Sequence, residues 1–558
     1  MTTDPIEVQI LAINDFHGYL EPPRQAIDAT LPDGTPVKVP AGGASYLASA
    51  AKALRAGKPH SITVSAGDLI SGGPLVSTLY LDEPTIEVME EVGLELNAVG
   101  NHEFDRGRDE LLRMQNGGCE KHTTRAPCAV QPFDGADFKF LAANVRSGDG
   151  ATLFPGTVIR EFGPVKIGFI GMTLQGTATI VTPAGVAGLT FEDEAATANA
   201  AIPAMKAAGT NAIVLLIHQG GRTGAGYNDK SCPNLDGEIM PIRAKLDPEI
   251  DLVISGHTHQ AYICERPRAS APPLLLTSAG QFGTLISDIR LTFAPDGTLR
   301  SQQANNVIVQ GESFVGTAGE VPIQPAITAY PPDAPTEALV SLYGKAAEPL
   351  AGRVVGTLDG PLTRQRSPAR ELTGGLFIAD AQLAATKHLG AQIAFSNSGG
   401  VRADIIPGRN GEITFGQLFA MQPFGNNLVV KTLTGARLKA LLEQQFESGF
   451  NTLKRPSILQ PSQGFFFAYD MSQPSGQRIV EMKLDGKPIE TGANYRIAIV
   501  NFLSTGGDNF TIFKEGTDLI DPNIVDVEAS EAYLKAGAKV PPLGRIEDRT
   551  PEGWLPPN

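Results

Sequence analysis

The sequence predicts an α/β fold divided into at least two domains. Three short apolar runs rich in β-branched residues each lead into a polar, glycine-flanked turn: VQILAI before Asp15, SITVSA before Asp68 and AIVLLI before His218. Such runs are typical of buried strands in an open α/β sheet, where the turns at the carboxyl ends of the strands line one crevice. A chain of 558 residues also exceeds the length at which single hydrophobic cores stop growing.

A proline-rich stretch marks the expected domain boundary. The segment VPIQPAITAYPPDAP begins at Val321, and a helical pattern follows from about Pro335 to Leu350. We therefore expect an N-terminal domain at 1–325, a linker with a connecting helix at 326–352 and a C-terminal domain at 353–558.

Polar motifs at the predicted strand ends indicate a metal site. The motifs INDFHG, AGDLIS, GNHEFD, LLIHQGG and SGHTH supply the candidate ligands Asp15, His17, Asp68, Asn101, His218, His257 and His259. Imidazole and carboxylate ligands together suit zinc, manganese or iron better than calcium. Two divalent ions about 3.5–4 Å apart can bind phosphoryl oxygens and supply a nucleophile at neutral pH. Such a pair needs a bridging carboxylate, for which we choose Asp68 because Asp15 and His17 have the spacing of one turn serving one ion.

The distribution of histidines supports this interpretation. Any one of these residues alone is more often a solvated loop residue or a hydrogen-bonded core histidine. The chain has eight histidines, however, and five of them fall in these motifs. His60, His122 and His388 lack a motif, and we assign them structural roles.

The order of these motifs resembles the calcineurin-like metallophosphoesterase superfamily, and GNHEFDRG resembles its 5′-nucleotidase branch. In the second half, NSGGVRADI, QPFGNNL and NFLSTGGDNF are similar to the substrate-binding motifs of the 5′-nucleotidase C-terminal domain. The resemblance implies an N-terminal four-layer αββα metallophosphoesterase domain and a second, α+β substrate-binding domain, joined by the linker helix.

The resemblance also implies a role for each metal-site residue. One ion would be held by Asp15, His17, Asp68 and His259, and the other by Asp68, Asn101, His218 and His257. His102 would stabilise charge on the phosphoryl group and assist the leaving oxygen, with Asp105 orienting its ring. The chain departs from some members of the family, which place Gln where His259 stands, so the affinity of the first ion is expected to differ.

Substrate contacts are implied in the C-terminal half. Phe424 and Phe502 stand in Gly- and Asn-rich loops and would sandwich a nucleotide base. Asp508 would hold the ribose hydroxyls, while Asn397 and Asn426 would read polar edges of the base or sugar.

Two arginines are candidates for the charged groups of the substrate. Arg402 in GGVRAD matches the family position, and its planar guanidinium suits phosphate. Arg370 matches less securely, because the segment TRQRSPARE also offers Arg364 and Arg366, and the sequence leaves open which of the three faces the ligand.

Composition excludes some partners. The net charge is −15 and the sequence pI is near 5.1, without a Lys/Arg-rich stripe, so a DNA- or RNA-binding protein is not expected. No apolar run reaches the roughly 18 residues of a transmembrane helix. The nucleotide substrate is the one partner that we expect, and both a monomer and a homodimer remain open.

The four cysteines predict two disulfides. Cys119 and Cys128 bracket a short loop, and Cys232 and Cys264 flank the GHTH motif, with no C-x-x-C spacing. Two disulfides place the protein in an oxidising compartment, periplasmic or extracellular, as a form that lacks its signal peptide. The alternative is a cytosolic enzyme with four reduced cysteines.

The sequence therefore predicts a two-metal 5′-nucleotidase that cleaves nucleoside 5′-monophosphates to nucleoside and phosphate. Nucleoside di- and triphosphates, UDP-sugars, NAD and 2′,3′-cyclic nucleotides are further candidate substrates. Two alternatives are a hydrolase of a non-nucleotide ester or thioester, and a noncatalytic nucleotide-binding or adhesion protein. Because metals and base-stacking loops are expected in different domains, neither domain should hydrolyse nucleotides well alone, and the linker would permit domain rotation.

Overall fold

The computed structural model describes residues 5–31, 33–123, 125–266, 273–316 and 319–556. Within these residues the chain forms two compact units. Of the described residues, unit 1 comprises 5–178 and Ala184–Ala346, and unit 2 comprises Thr179–Pro183 and 347–556.

The strands of unit 1 are short and mostly apolar. They are β1 (Ile6–Ile13), β2 (Gln25–Thr30), β3 (Pro36–Ala41), β4 (Ser61–Ser65), β5 (Leu94–Ala98), β6 (Lys139–Leu141), β7 (Val145–Arg146), β8 (Thr157–Phe162), β9 (Val165–Met172), β10 (Thr190–Phe191), β11 (Ala212–Ile217), β12 (Leu252–Ser255), β13 (Ala261–Arg266), β14 (Leu274–Ala279), β15 (Leu285–Phe293), β16 (Leu299–Ile308), β17 (Phe314–Gly316) and β18 (Gly319–Val321). The helices are α1 (Ala44–Arg55), α2 (Leu75–Thr78), α3 (Glu83–Val92), α4 (Arg108–Asn116), α5 (Glu194–Ala207) and α6 (Ile239–Lys245). A longer helix, α7 (Ala334–Ala351), contains the boundary between the units.

Two six-stranded mixed sheets organise unit 1. Sheet I has the order β16-β15-β1-β4-β5-β6, in which β1, β4, β5 and β6 run parallel. Sheet II has the order β13-β14-β12-β11-β9-β8, in which β9, β11, β12 and β14 run parallel. Each sheet therefore has parallel central strands whose carboxyl ends share one edge.

The alternation of side chains along β11 shows how the layers stack. Val214 and Leu216 pack with Val8 and Ile10 of β1 in a core between the two sheets. The intervening residues of β11 face the opposite way and pack on α5 and α6. On the other side, α1 and α3 pack together and contact β15 and β5. The order is helix, sheet, sheet, helix, which confirms the αββα architecture expected for the N-terminal domain.

Unit 2 is an α+β unit. Its strands are β19 (Val354–Thr357), β20 (Ile393–Ser396), β21 (Glu412–Thr414), β22 (Leu428–Thr434), β23 (Gln460–Pro461), β24 (Phe465–Tyr469), β25 (Ile479–Leu484), β26 (Lys487–Pro488), β27 (Asn494–Val500), β28 (Thr517–Ile520) and β29 (Ile546–Asp548). Its helices are α8 (Thr373–Thr386), α9 (Phe415–Met421), α10 (Gly435–Glu443), α11 (Asn501–Ser504) and α12 (Asp526–Lys535). One sheet has the order β23-β20-β27-β22-β28 and another the order β26-β25-β24-β29, and their apolar side chains share a core with α10.

Both disulfides predicted from the sequence are present. Cys119 pairs with Cys128 in the loop after α4, and Cys232 pairs with Cys264 of β13. None of the helices in the described part of the chain combines the length and hydropathy that a bilayer crossing requires.

Candidate metal centre and nucleoside-binding loops

The candidate metal ligands follow the parallel strands of both sheets in unit 1. Asp15 and His17 follow β1, Asp68 follows β4, Asn101 follows β5, His218 follows β11, and His257 and His259 follow β12. The sheets pack face to face, so these strand ends meet.

The structure brings all seven candidates together. Ligand atoms within 4.8 Å of one another form three overlapping groups, namely Asp15 with His17 and His259, His17 with Asp68 and His102, and Asp68 with His218 and His257. Asn101 joins the last group, since its Oδ1 lies 3.0 Å from Nδ1 of His257. Asp68 lies between the other ligands, as a carboxylate shared by two ions must.

Five of these residues have left-handed backbone conformations. The φ angles are 51° at Asp15, 52° at His17, 54° at Asp68, 69° at His257 and 56° at His259. This conformation costs a non-glycine residue about 1–2 kcal/mol, and it persists where the surrounding structure imposes it, commonly at functional sites. The surrounding structure therefore imposes the conformations of the turns that present the candidate ligands.

Two glycines allow the turns to approach each other. A Cβ atom at Gly67 would lie 2.6 Å from Nδ1 of His218, and one at Gly100 would lie 2.2 Å from Oδ1 of Asp68. Both distances are far below van der Waals contact, so the glycines of AGD and GNH provide the space that the ligands occupy.

Backbone carbonyls set the tautomers of two histidines. Nδ1 of His17 donates to the carbonyl of Ser71 at 2.8 Å, and Nδ1 of His218 donates to the carbonyl of Ala66 at 2.7 Å. In the neutral rings, Nε2 then carries the lone pair. Nε2 of His17 lies 3.1 Å from Nε2 of His259, and Nε2 of His218 lies 3.0 Å from Oδ2 of Asp68. Imidazole lone pairs that converge with carboxylates form a donor set that fits divalent cations.

Electrostatics keep two of these groups in the form that binds metal. Burial would raise the pKa of Asp68, but His218 and His102 hold that pKa well below its usual range. Burial and the neighbouring His218 lower the pKa of His257 to about 3, so its ring is neutral. Burial opposes the charge on His218, yet Asp68 raises its pKa to about 10, so an incoming ion must displace a proton from this ring.

His102 and Asp105 lie together beside this cluster. Nδ1 of His102 is 2.7 Å from Oδ2 of Asp105, and the backbone N–H of His102 donates to Oδ1 of Asp68 at 2.9 Å. The ring of His102 is 5.0 Å from that of His17. Because Asp105 engages Nδ1, any proton exchanged with a substrate passes through Nε2.

Most candidate substrate residues lie outside the regular helices and strands of unit 2, but Phe502 lies in the short helix α11 and not in the loop expected from the sequence. Asn397 follows β20, and its Nδ2 donates to Oδ2 of Asp508 at 2.7 Å. The Arg402 guanidinium lies over the Phe424 ring, 5.8 Å from its centroid, as a cation–π pair. Asn426 accepts a hydrogen bond from the N–H of Asp526 through its carbonyl, at 2.9 Å.

The three arginines of TRQRSPARE are neighbours in space. Burial lowers the pKa of Arg366, and the charges of Arg370 and Arg364 lower it further. Arg370 has a φ of 66° and also lies near the buried Tyr469. These arginines therefore form one positive cluster.

Comparisons with known proteins agree with this arrangement. The family description "Calcineurin-like phosphoesterase" matches residues 8–261, and "5'-nucleotidase, C-terminal domain" matches residues 354–515. Cell wall protein Lmo0130 of Listeria monocytogenes is 30% identical over 577 residues, which cover 95% of this chain and 67% of that protein. The chain belongs to the 5′-nucleotidase family.

Two further relatives show the breadth of this family. Endonuclease YhcR of Bacillus subtilis is 30% identical over 538 residues, which cover 95% of this chain, but the chain spans only 40% of that protein. The crystal structure of a 5′-nucleotidase precursor from Thermus thermophilus has a TM-score of 0.77 at 26% identity, covering 98% of this chain and 100% of the other. Calcineurin-like phosphoesterases use divalent metal ions, and the converging donors of unit 1 fit that requirement.

Sequence reasoning missed a buried acid within a family motif. Glu103 accepts hydrogen bonds from the backbone N–H groups of Asp68 at 2.9 Å, Leu69 at 2.8 Å and Gly100 at 2.8 Å. Burial and the charge of Asp68 raise its pKa to about 8. Glu103 ties the loop of Asp68 to the loop of Asn101. The indication in the sequence was that Glu103 stands next to His102 in the motif GNHEFD.

Sequence reasoning also missed Phe282, an aromatic residue that packs against two candidate ligands. Phe282 is buried and has a φ of 58°, which is rare for a bulky residue. Its ring stands edge-on to His17 and His259, with centroids 6.0 and 5.7 Å away, and stacks on Tyr19 at 3.8 Å. Phe282 thus limits the movement of two candidate ligands of one ion.

Proposed function

We propose that this chain is a two-metal phosphohydrolase that cleaves nucleoside 5′-monophosphates to nucleoside and phosphate. The observation that carries the proposal is the position of Asp68, whose carboxylate belongs to two of the three ligand groups. A single structural ion would not require a shared carboxylate with histidines on both sides. Membership in the 5′-nucleotidase family supports the substrate class.

The residues of unit 1 would bind the two ions and assist the leaving group, in the roles that the family implies. Asp15, His17, Asp68 and His259 would hold one ion, and Asp68, Asn101, His218 and His257 the other. When bound, the ions would place positive charge at the phosphoryl oxygens and lower the pKa of the attacking water. His102, held by Asp105, would stabilise the same oxygens and hold a proton at Nε2 for the leaving group.

Unit 2 would recognise the nucleotide substrate. Phe424 and Phe502 would stack on the base, a contact that contributes about 1–3 kcal/mol per base. The Asn397–Asp508 pair would bind the ribose, Asn426 would read a polar edge of base or sugar, and Arg402 would meet the substrate's negative charge. Arg370 belongs to the positive cluster with Arg364 and Arg366 and would act in the same way.

The working environment forms part of the proposal. The two disulfides favour an oxidising compartment, the periplasm or the exterior. The mixed histidine, asparagine and carboxylate ligands favour zinc or manganese. The protein would act as a monomer or homodimer, and metal analysis and light scattering on the purified chain would test the ion and the mass.

The deciding experiment is a substrate panel on the metal-reconstituted protein. AMP, ADP, ATP, UDP-glucose, NAD and a 2′,3′-cyclic nucleotide would be assayed for phosphate and nucleoside release. His102→Ala should remove release from AMP, while His388→Ala, which changes an exposed histidine of unit 2, should not. No release from any of these substrates would contradict the proposal and favour a non-nucleotide ester or a binding role.

A further inference from the structure

Unit 2 buries a lysine on an interior strand of its five-stranded sheet. Lys431 lies on β22, and the residue is 7% exposed. Its ammonium donates to the carbonyl of Phe513 at 2.8 Å and to the carbonyl of Ser504 at 3.2 Å. Removing an ammonium from water is costly unless its hydrogen bonds are replaced, so these two acceptors matter.

Both acceptors belong to one loop. We define the nucleoside loop as Asn501–Glu515, the segment that carries Phe502 and Asp508. Ser504 ends α11 on one side of Asp508, and Phe513 lies in the 3₁₀ turn on the other side. One buried charge therefore holds both flanks of the loop through charge-assisted hydrogen bonds.

The middle of the nucleoside loop is strained and separately supported. Asp508 and Asn509 have φ angles of 52° and 62°. The carbonyl of Asp508 accepts from Nδ2 of Asn451 at 2.8 Å, and the carbonyl of Asn509 accepts from Oγ of Ser448 at 2.6 Å. Two consecutive left-handed residues need such support, because each costs about 1–2 kcal/mol.

The shape of the loop also sets the position of Phe502. A Cβ atom at Gly507 would lie 2.5–2.7 Å from three atoms of the Phe502 ring, so the ring lies directly on the backbone of Gly507. A shift of the loop would therefore move the aromatic ring and the Asp508 carboxylate together. Asp508 in turn is hydrogen-bonded to Asn397.

We propose that Lys431 is a positioning residue for nucleoside recognition. Its ammonium holds the nucleoside loop in the shape that presents Phe502 and Asp508, without touching the substrate. This inference rests on the proposed function. It assigns affinity for the nucleoside to a buried charge on β22, separate from the phosphoryl chemistry of unit 1.

The test is Lys431→Met in the full, metal-reconstituted chain. Methionine keeps a similar length and removes the ammonium. The KM for AMP and the Kd for adenosine, measured by calorimetry, should rise about 10- to 100-fold, the range that loss of one base-stacking contact produces. The kcat/KM for p-nitrophenyl phosphate, which has no nucleoside, should stay within about threefold. Lys487→Met, at an exposed lysine of unit 2, should match the wild type in every measurement.

A second variant guards against a folding defect. Asn451→Ala removes the donor to Asp508 and should raise the same KM and Kd, even if Lys431→Met fails to fold. An unchanged KM for AMP in a folded Lys431→Met variant, or equal loss on AMP and p-nitrophenyl phosphate, would overturn the inference and leave the proposed function standing. A wild-type chain that neither binds adenosine nor hydrolyses AMP would overturn both.

Discussion

The candidate ligands of unit 1 and the candidate substrate residues of unit 2 are held in different ways. Asp15, His17 and His218 are fully buried, and Asp68 is 1% exposed. Phe424 and Phe502, in contrast, are only half-buried. The difference follows from the task, because ions must be held at fixed distances whereas a base needs an open surface to enter.

The two regions nevertheless share one feature, a buried polar side chain that is hydrogen-bonded to the backbone of the functional loop. In unit 1 the Glu103 carboxylate accepts three backbone N–H groups, and in unit 2 the Lys431 ammonium donates to two backbone carbonyls. The atoms of each group complement the backbone that it holds: the oxygens of Glu103 accept from N–H groups, and the N–H bonds of Lys431 donate to carbonyls. Substitutions in unit 1 should therefore reduce metal binding and all phosphoester hydrolysis, whereas substitutions in unit 2 should reduce activity on nucleotides alone.

The largest effect should come from the shared carboxylate. Asp68→Asn removes the charge that both ions would share, and kcat/KM for every phosphoester should fall about a thousandfold or more, with loss of at least one bound ion. Activity assays and metal analysis would check this. Asp109→Asn, at an exposed residue of the same unit, serves as the matched control. Retention of both ions with full activity would exclude a bridging role for Asp68.

Removing the two aromatic rings should reduce activity on nucleotides without reducing the phosphoryl chemistry of unit 1. Phe424→Ala combined with Phe502→Ala should lower kcat/KM for AMP about a hundredfold or more, because two stacking contacts are lost. Activity on p-nitrophenyl phosphate should persist, since the metal loops are unchanged. Steady-state kinetics on both substrates would measure the ratio. If both activities fell equally, the sandwich role would be wrong.

Substitution of Glu103, the buried acid of unit 1, should weaken metal binding. Glu103→Gln keeps the size of the side chain but provides only one oxygen for three N–H donors. Metal affinity, measured by competition with a chelator, should fall about 10- to 100-fold, as for other groups that orient metal ligands. The exposed Glu161→Gln variant of the same unit is the control. Unchanged metal affinity together with unchanged activity would show that Glu103 acts only in folding.

The sequence predicted the parts of the site that lie in short motifs. Strand-end turns such as SGHTH identify their own candidates, because the apolar run and the polar turn are adjacent in the chain. The αββα architecture followed from the resemblance that those motifs carried, and both disulfides followed from cysteine spacing.

The supporting residues depend on contacts that no local pattern records. Glu103 acts on a loop 35 residues away, and Lys431 acts on carbonyls 73 and 82 residues away. Phe282 resembles any core aromatic until its backbone angle and its histidine neighbours are known. The order of Arg364, Arg366 and Arg370 likewise did not reveal that they form one cluster.

The smallest effect should come from a buried acid of unit 2 and appear as pH dependence. Burial raises the pKa of Asp526 to about 7 in the folded chain, from the ordinary value of 3.8. The folded state therefore holds this proton more tightly, so the contribution of Asp526 to the free energy of unfolding is complete below about pH 4 and is lost as the pH rises through 7. Asp526→Asn cannot titrate, so its stability relative to wild type should increase between pH 4 and pH 8. Trp554, the single tryptophan, lies in unit 2, and its fluorescence during thermal unfolding would report this difference. The exposed Asp485→Asn variant controls for the loss of one negative charge. A difference between Asp526→Asn and wild type that stays constant across this range would mean that Asp526 is ionised in the folded chain, and that unit 2 supports its loops without a protonated acid.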